Sequence, residues 1–528
     1  MALLPLPPRD RVRGTCRWLG ALTVLALCLR LFRLGAQSIW IDEGMSLGWI
    51  GEIEARGWRT VLQDIHGPLH ALAIYAASRI SSAEWCLRLP SALAGSLAVP
   101  ALAALVRRLW GERVALLAAV LATFSPFGLY YSQEVRNYAF TLLFASLMLL
   151  AALDCAQRPR PLAAGRLVLV QLLGILSNLN GLFLAGGVQV WLFLVWRRSR
   201  RALVVWAASQ VLLGVLLLPY FLQVQKQVRA ERLVGVEAGI GESEPLRGDT
   251  TLHPMGLPYT AYTFAAGYSL GPTLEELRRD PGAALAWRHL PALALVLAGF
   301  GVPFVVGLLK RASWPAAWLL VVPSLAVAAC TLWLAALNIK PFNPRYLSVL
   351  QPAFLALVAQ GIWSLPRRGR IVIATIALVG SLWSCGNYLF VPRYGRDDTR
   401  GVVEYLLAHA GAKDLVLHIN LGFSLRYYDR LPQQIRLAEP GSGDSPEAAR
   451  RYLDRIVGDA PVLWYLECRP EKLDPAGHLR QACGERAYSS STRSFVGIQV
   501  HRFQLEPPPR LHPLRPPDPG RSASESRS

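Results

Sequence analysis

Eleven long apolar stretches, separated by short polar connections, constrain the fold of this chain more than any other feature of its sequence. Each is about 15 to 24 residues long, close to the length that an α-helix needs to cross the hydrocarbon core of a bilayer. They are residues 18–34, 89–106, 114–130, 138–153, 162–176, 182–196, 202–221, 290–309, 314–337, 346–365 and 371–390. The sequence therefore predicts an α-helical polytopic membrane protein with about 11 transmembrane helices.

Clusters of arginine and lysine lie in the connections and predict how the helices are oriented. If residues 1–17 are cytoplasmic, every second connection should be basic, because cytoplasmic loops retain positive charge. All six inside positions agree, at residues 9–17, 107–113, 158–166, 197–201, 310–311 and 367–370. Orientation thus accounts for the formal net charge of +20, and no nucleic acid is predicted as a partner.

This alternation requires residues 66–80 not to cross, so we predict an interfacial or re-entrant helix there. The transmembrane domain is then expected at 18–390, with a first outer loop at 37–88 and a long outer loop at 223–289. Residues 391–506 mix helix-like and strand-like segments, which predicts a small extracytoplasmic α/β domain. The Pro, Arg and Ser content of 507–528 predicts a disordered tail.

Two of the eight cysteines, Cys468 and Cys483, fall in the predicted outer domain. A disulfide between them and two separate thiols are equally compatible with the sequence. The other cysteines lie in or beside apolar stretches without the paired spacing of a metal site.

Four outer segments carry ionisable side chains beside the predicted membrane, where such groups are costly and therefore functional candidates. Each has an ordinary alternative: aspartate caps helices, histidine is often structural, a Glu-Arg pair can link a turn, and arginine or lysine can snorkel to the interface. Their convergence on one face nevertheless favours a functional site. They are Asp42 and Glu43, His66, Glu134 and Arg136, and Lys340 and Arg345.

Together these four segments resemble extracytoplasmic-facing glycosyltransferases of the GT-C superfamily. The resemblance is specifically to bacterial relatives of the dolichyl-phosphate-mannose–protein mannosyltransferases (family 39) and of the aminoarabinose transferase that modifies lipid A (family 83). The matching segments are Asp-Glu at 42–43, His-Gly-Pro-Leu at 66–69, Ser-Gln-Glu-Val-Arg-Asn-Tyr-Ala at 132–139 and Arg-Tyr at 345–346. Two positions depart from the pattern: Gly67 replaces a proline, which would loosen a helix start, and the turn at 177–181 lacks a histidine that many relatives carry.

The resemblance implies a bacterial inner-membrane enzyme that moves a monosaccharide from a polyprenyl-phosphate donor to a hydroxyl acceptor on protein, lipid or glycan, with inversion, on the periplasmic face. Asp42 matches the family's general base, and Glu43 and Glu134 would orient the base, the acceptor or an optional divalent metal ion. No other cofactor is implied. The residues expected to bind the donor phosphate are Arg345 and His66, with Arg136 and Lys340 in reserve.

Three other interpretations remain open. A lipid-linked glycan flippase or other transporter would place ionisable residues at mid-span depth. The sequence offers few there, since Arg30 and Arg33 lie toward the outer end of the first predicted span. An O-antigen ligase or polymerase-like enzyme shares the topology and the donor, but makes the Asp42-Glu43 pair incidental. A catalytically silent relative is the third, given the two departures.

Overall fold

A computed structural model of the chain describes residues 15–63, 66–237, 252, 254–279, 283–310, 314–337, 342–428, 430–470 and 473–505. The described residues form two compact units. The first unit comprises those within Met1–Arg400 together with Phe423–Tyr428, and the second unit those within Gly401–Gly422 and Asp429–Ser528.

The first unit is built almost wholly of helices. The α-helices are α1 (Thr15–Leu31), α2 (Ile41–Arg56), α3 (Pro68–Ser78), α4 (Glu84–Trp110), α5 (Glu112–Thr123), α6 (Pro126–Ser132), α7 (Tyr138–Gln157), α8 (Pro161–Ser177), α9 (Gly181–Trp196), α10 (Arg200–Glu237), α11 (Gly256–Ala266), α12 (Leu274–Arg279), α13 (Ala283–Arg288), α14 (Leu290–Val296), α15 (Val302–Leu309), α16 (Trp314–Ala336), α17 (Gln351–Ser364) and α18 (Arg367–Phe390). A π-helical segment, Leu297–Gly301, joins α14 to α15, and short 3₁₀ helices cover Trp58–Gln63, Pro344–Leu350 and Pro392–Tyr394.

Every predicted apolar stretch is helical, so the predicted fold class is confirmed. Within the described residues, seven helices are long and apolar enough to cross a membrane, or eight if the bent pair α5 and α6 forms one span. The helices α1, α8 and α9 have 17, 17 and 16 residues. They are shorter than the other predicted spans, which is why fewer than eleven candidates meet the length criterion.

The bend between α5 and α6 places the polar loop that follows it. The two helices meet at 54°, because Ser125-Pro126 starts a new helix: the Ser125 Oγ accepts the Gly128 N–H at 3.0 Å, and Pro126 occupies the first turn. The loop at 133–137, which carries Glu134 and Arg136, directly follows the short α6 and connects it to α7.

Close packing of α15 on α17 supports the segment that carries Arg345. A Cβ on Gly307 would lie 2.1 Å from the Leu357 carbonyl oxygen, and one on Gly361 would lie 1.8 Å from that of Pro303. Small residues let membrane helices approach to backbone contact in this way. The helix α17 continues directly from the 3₁₀ helix Pro344–Leu350, which contains Arg345. The packing of α15 on α17 therefore supports the backbone at Arg345.

The second unit contains a five-stranded sheet, and the predicted α/β character of the C-terminal domain is confirmed. The strands are β1 (Leu415–His418), β2 (Gln434–Leu437), β3 (Val462–Glu467), β4 (Ser489–Phe495) and β5 (Ile498–Gln504), in the order β2-β1-β3-β5-β4. The first three are parallel, and β5 runs antiparallel to both β3 and β4. The chain from Thr399 onward also forms α19 (Thr399–His409), α20 (Gly422–Tyr428), α21 (Pro446–Ile456) and α22 (His478–Glu485), and all of α20 except Gly422 belongs to the first unit. Cys468 and Cys483 are both buried, and no disulfide joins them.

Candidate active site

The adjacent carboxylates Asp42 and Glu43 lie in the first turn of α2. Trp40 precedes the helix in extended conformation, and acidic side chains are favourable at a helix N-terminus because they meet the positive end of its dipole. Successive helical residues point about 100° apart, so the two carboxylates have different surroundings.

Glu43 is fully buried and holds a complete set of partners. Its Oε1 accepts from the Arg88 Nε at 2.8 Å and from the Val135 N–H at 2.8 Å, and its Oε2 accepts from the Arg88 Nη2 at 2.7 Å. Burial opposes ionisation, but the charge and hydrogen bonds of Arg88 outweigh it and hold the pKa of Glu43 below its ordinary value. This geometry favours a positioning role for Glu43.

Arg88 is the partner that sequence reasoning missed. It is buried in α4 and also donates to the carbonyls of Leu34 at 3.0 Å, Gln37 at 2.8 Å and Ser38 at 3.0 Å. In the sequence it stands at the start of an apolar stretch and resembles an ordinary boundary charge. Only the need of a buried Glu43 for a cation could have pointed to it, and that burial is a property of the fold.

Asp42 faces two arginines that come from distant parts of the chain. Its carboxylate forms an ion pair with Arg345, and 16% of the Asp42 side chain and 23% of the Arg345 side chain are exposed. The Arg136 Nη1 donates to the Asp42 carbonyl at 3.2 Å and to the Ser46 Oγ at 3.1 Å. The structure thus brings together three of the predicted site residues.

Four buried polar atoms at or near the predicted site residues are among those with no hydrogen-bond partner within the described residues. They are the Nε atoms of Arg136 and Arg345, the Oε2 of Glu134 and the Nε2 of His70. Buried polar atoms in folded proteins are rarely unsatisfied, so each calls for an explanation. Two of the four are N–H donors of the arginines that contact Asp42, Arg345 at its carboxylate and Arg136 at its backbone carbonyl, and such donors can bind an oxyanion.

Two asparagines tie the outer connections to one another. The Asn137 side chain donates to the carbonyls of His66 at 2.5 Å and Ser177 at 2.8 Å, and the Asn180 side chain donates to the Tyr346 carbonyl at 2.9 Å. The predicted His66, Glu134, Arg136 and Arg345 segments are therefore held in one network. Lys340 lies outside the described residues, and its role stays a prediction.

Gly67, one of the departures from the family pattern, has a packing explanation. Its φ is +102°, and a Cβ there would lie 2.5 Å from the Leu176 carbonyl oxygen at the end of α8. Glycine is the residue that accepts both conditions. Pro68 still begins α3, so the helix keeps a proline in its first turn.

No three or more His, Cys, Asp or Glu side chains lie close enough to hold a metal ion within the part of the chain that is described. His70 is buried against the edge of Phe140. Burial, with the charges of Arg136 and His66, lowers the pKa of His70 to about 3, so its imidazole is neutral.

Glu134 contrasts with Glu43 although both are buried carboxyl groups. Its Oε1 accepts from the Trp40 indole at 3.1 Å. Burial raises its pKa to about 7; the charges of Glu43 and Asp42 add to this rise, and those of Arg396 and Arg136 oppose it. Glu134 therefore keeps a proton up to nearly neutral pH.

This proton makes a testable contribution to stability. Between the ordinary carboxyl pKa of 4.5 and the raised value of about 7, the folded state binds a proton that the unfolded state has released. Stability from this group is therefore lost as pH rises through about 7. Glu134→Gln mimics the neutral form, so its unfolding midpoint should fall less than that of the wild type between about pH 5 and about pH 8. Parallel profiles for the two proteins would show that Glu134 is not protonated.

Part of the first unit is similar to a known protein family. Residues 65–222 match the family described as dolichyl-phosphate-mannose-protein mannosyltransferase. That range contains the His66, Glu134 and Arg136 segments but neither Asp42 nor Arg345. A comparison with curated protein sequences gives no match.

Among solved structures, the chain is similar to ArnT from Cupriavidus metallidurans. The apo form has 14% identity and a TM-score of 0.56, over 93% of this chain and 98% of that one. The form bound to undecaprenyl phosphate has 14% identity and a TM-score of 0.53 over the same shares. The oligosaccharyltransferase AglB from Archaeoglobus fulgidus, in complex with an inhibitory peptide and a dolichol-phosphate, has 13% identity and a TM-score of 0.47, over 93% and 74%. The likeness to ArnT is one of fold.

Proposed function

We propose that this chain, a GT-C superfamily protein related to the protein mannosyltransferases and to ArnT, transfers a monosaccharide from a polyprenyl-phosphate donor to a hydroxyl acceptor. The observation that carries the proposal is the position of Asp42 beside Arg136 and Arg345, each with a buried and unpartnered Nε–H among the described residues. A carboxylate next to two free cationic donors suits a reaction that takes up a proton and expels a phosphate. ArnT bound to undecaprenyl phosphate supports the class of lipid.

Asp42 acts in this proposal as the general base. It takes the proton of the acceptor hydroxyl while the acceptor oxygen forms a bond to the anomeric carbon of the sugar. The bond between that carbon and the phosphate oxygen breaks, its electron pair leaves with the phosphate, and a polyprenyl phosphate is released. The new glycosidic bond lies on the face opposite the leaving group, so configuration at the anomeric carbon inverts.

The two arginines stabilise the leaving group. Phosphate is a stable anion, so its departure requires cations and hydrogen-bond donors more than a second acid. Arg345 is held by its capped helix, where the Asn343 side chain accepts the Arg345 N–H at 3.1 Å. One of its Nη atoms pairs with Asp42 while its Nε remains available, so the same guanidinium orients the base and meets the phosphate.

The reaction is proposed to take place on the periplasmic face of the inner membrane. The support is the alternation of basic clusters, which puts the connections bearing Asp42, His66, Arg136 and Arg345 on the side opposite the positive charges. His66, whose carbonyl is held by Asn137, and Lys340 complete the proposed phosphate-binding residues. The acceptor is a hydroxyl of protein, lipid or glycan.

The contacts of Arg30 count against the transporter. This residue of the first span is buried and donates to the Ser132 Oγ at 3.1 Å and to the carbonyls of Ala26 at 3.1 Å and Ala122 at 3.2 Å. Those contacts bind α1 to the α5–α6 bend. A side chain so engaged is a structural link and does not line a pathway.

The test is mass spectrometry of the lipid that purifies with the protein, followed by a transfer assay with that lipid and hydroxyl acceptors of each class. We expect a polyprenyl-phosphate sugar to be recovered and to be consumed as the acceptor is glycosylated. Movement of the lipid across vesicles without transfer would instead identify a flippase. A bound lipid that no acceptor consumes would identify a catalytically silent relative.

A further inference from the structure

The first turn of α2 packs against the backbone of a segment that occurs much later in the chain. A Cβ built on Gly44 would lie 2.7 Å from both the carbonyl carbon and the carbonyl oxygen of Phe423, and 2.9 Å from the Ser424 nitrogen. Folded proteins do not tolerate a Cβ so close to backbone atoms, and backbone cannot swing aside as a flexible side chain can. Gly44 stands two residues after Asp42, so this contact touches the turn that carries the proposed base.

The same segment also holds the residues before Asp42. Phe423–Tyr428 belongs to the first unit although the chain on both sides of it belongs to the second. The Tyr428 hydroxyl accepts the Ile39 N–H at 2.9 Å, and the Tyr427 hydroxyl donates to the Ser82 carbonyl at 2.7 Å. Ile39, three residues before Asp42, and Gly44, two residues after it, are thus fixed by one short helix.

Glu84 hydrogen-bonds to the last residue of this helix, Tyr428. Its Oε1 accepts from the Tyr428 hydroxyl at 2.5 Å and from the Arg400 Nε at 3.2 Å. The Arg400 Nη2 also donates to Glu84 and to the Gly35 carbonyl at 3.0 Å. Charge-assisted bonds of this kind are among the stronger ones in proteins, and here they connect the segment to the loop that leads into α2.

We infer that Phe423–Tyr428 is a positioning element for the proposed base, which sets Asp42 by clamping the backbone at Ile39 and Gly44. The inference rests on the proposed function of Asp42 and assigns part of that function to the C-terminal third of the chain. Displacing the first turn of α2 would misalign Asp42 with Arg345. A displacement of about 1 Å in a reacting group can lower a rate about a hundredfold, whereas donor binding by the arginines should change little.

The test compares Gly44→Ala with Gly48→Ala. Both substitutions lie in α2 and bring a similar gain in helix propensity, but a Cβ on Gly48 meets nothing within 4 Å. We expect Gly44→Ala to lower kcat about ten- to a hundredfold, with the KM for the lipid donor within about twofold of the wild type. Gly48→Ala should behave as the wild type does.

Tyr428→Phe provides the milder variant in case Gly44→Ala fails to fold. It removes only the hydroxyl shared by Ile39 and Glu84, and it should lower kcat with the donor KM unchanged. Tyr488→Phe, at an exposed tyrosine of the second unit, is the control. With an active wild type and an inactive Asp42→Asn protein, normal kcat in both Gly44→Ala and Tyr428→Phe overturns the positioning role alone. An inactive wild type, or an active Asp42→Asn protein, overturns the proposed function.

Discussion

Asp42→Asn is expected to lose sugar transfer while inserting into the membrane and folding normally. An amide of the same shape cannot take the acceptor proton, and general-base catalysis typically contributes about two to four orders of magnitude. The substitution also removes the negative charge that pairs with Arg345. Initial rates at saturating lipid donor and acceptor measure the effect directly.

Asp154→Asn is the matched control for this measurement. Asp154 lies near the C-terminal end of α7 and forms an ion pair with Arg108 at 2.6 Å, and 44% of its side chain is exposed. The same chemical change there should leave the rate within about twofold, because exposed pairs contribute little. Near-normal transfer by the Asp42→Asn protein would rule out Asp42 as the base.

Arg88→Met is expected to give the largest loss of stability of any single change considered. It leaves Glu43 as a buried charge without its cation and removes the donor from three loop carbonyls. Breaking a buried ion pair by removing one partner costs about 3–5 kcal/mol. Thermal unfolding of the purified protein in detergent should therefore show a much lower midpoint.

Arg79→Met controls for the loss of an arginine as such. The Arg79–Glu54 pair is exposed, at 65% and 53% of the two side chains, and its removal should cost only about 0–1 kcal/mol. Adding Glu43→Gln to Arg88→Met should restore part of the stability, because the uncompensated charge disappears. Equal midpoints for Arg88→Met and Arg79→Met would show that the buried pair does not hold the first outer loop.

Local sequence patterns predicted the helical elements well. Each apolar stretch became a helix because burying or immersing some twenty apolar side chains requires the backbone to satisfy its own hydrogen bonds. The resemblance to the GT-C superfamily, based on four short segments, is confirmed by the mannosyltransferase family match and by the fold shared with ArnT. The roles of the individual site residues stay predictions.

Local sequence patterns could not predict which side chains pair with one another within the site. Arg396 illustrates this: it follows the last predicted span and falls in the stretch 391–506 that the sequence predicts to be an α/β domain, yet it is buried and donates to the carbonyls of Gln133 at 2.7 Å and Tyr130 at 3.0 Å. Arg88 and the Phe423–Tyr428 segment were overlooked for the same reason. Their partners lie tens to hundreds of residues away, and no periodic pattern records such a contact.

The Asp-Glu pair separates what the sequence determined from what the fold decided. The sequence alone was enough to select two adjacent carboxylates, because ionised groups beside lipid are costly and so rarely incidental. It could not distinguish them, since neighbours of the same charge share every local feature. The fold distinguishes them because successive helical residues point about 100° apart: Glu43 turns inward to Arg88, and Asp42 turns toward Arg345 at a partly open site.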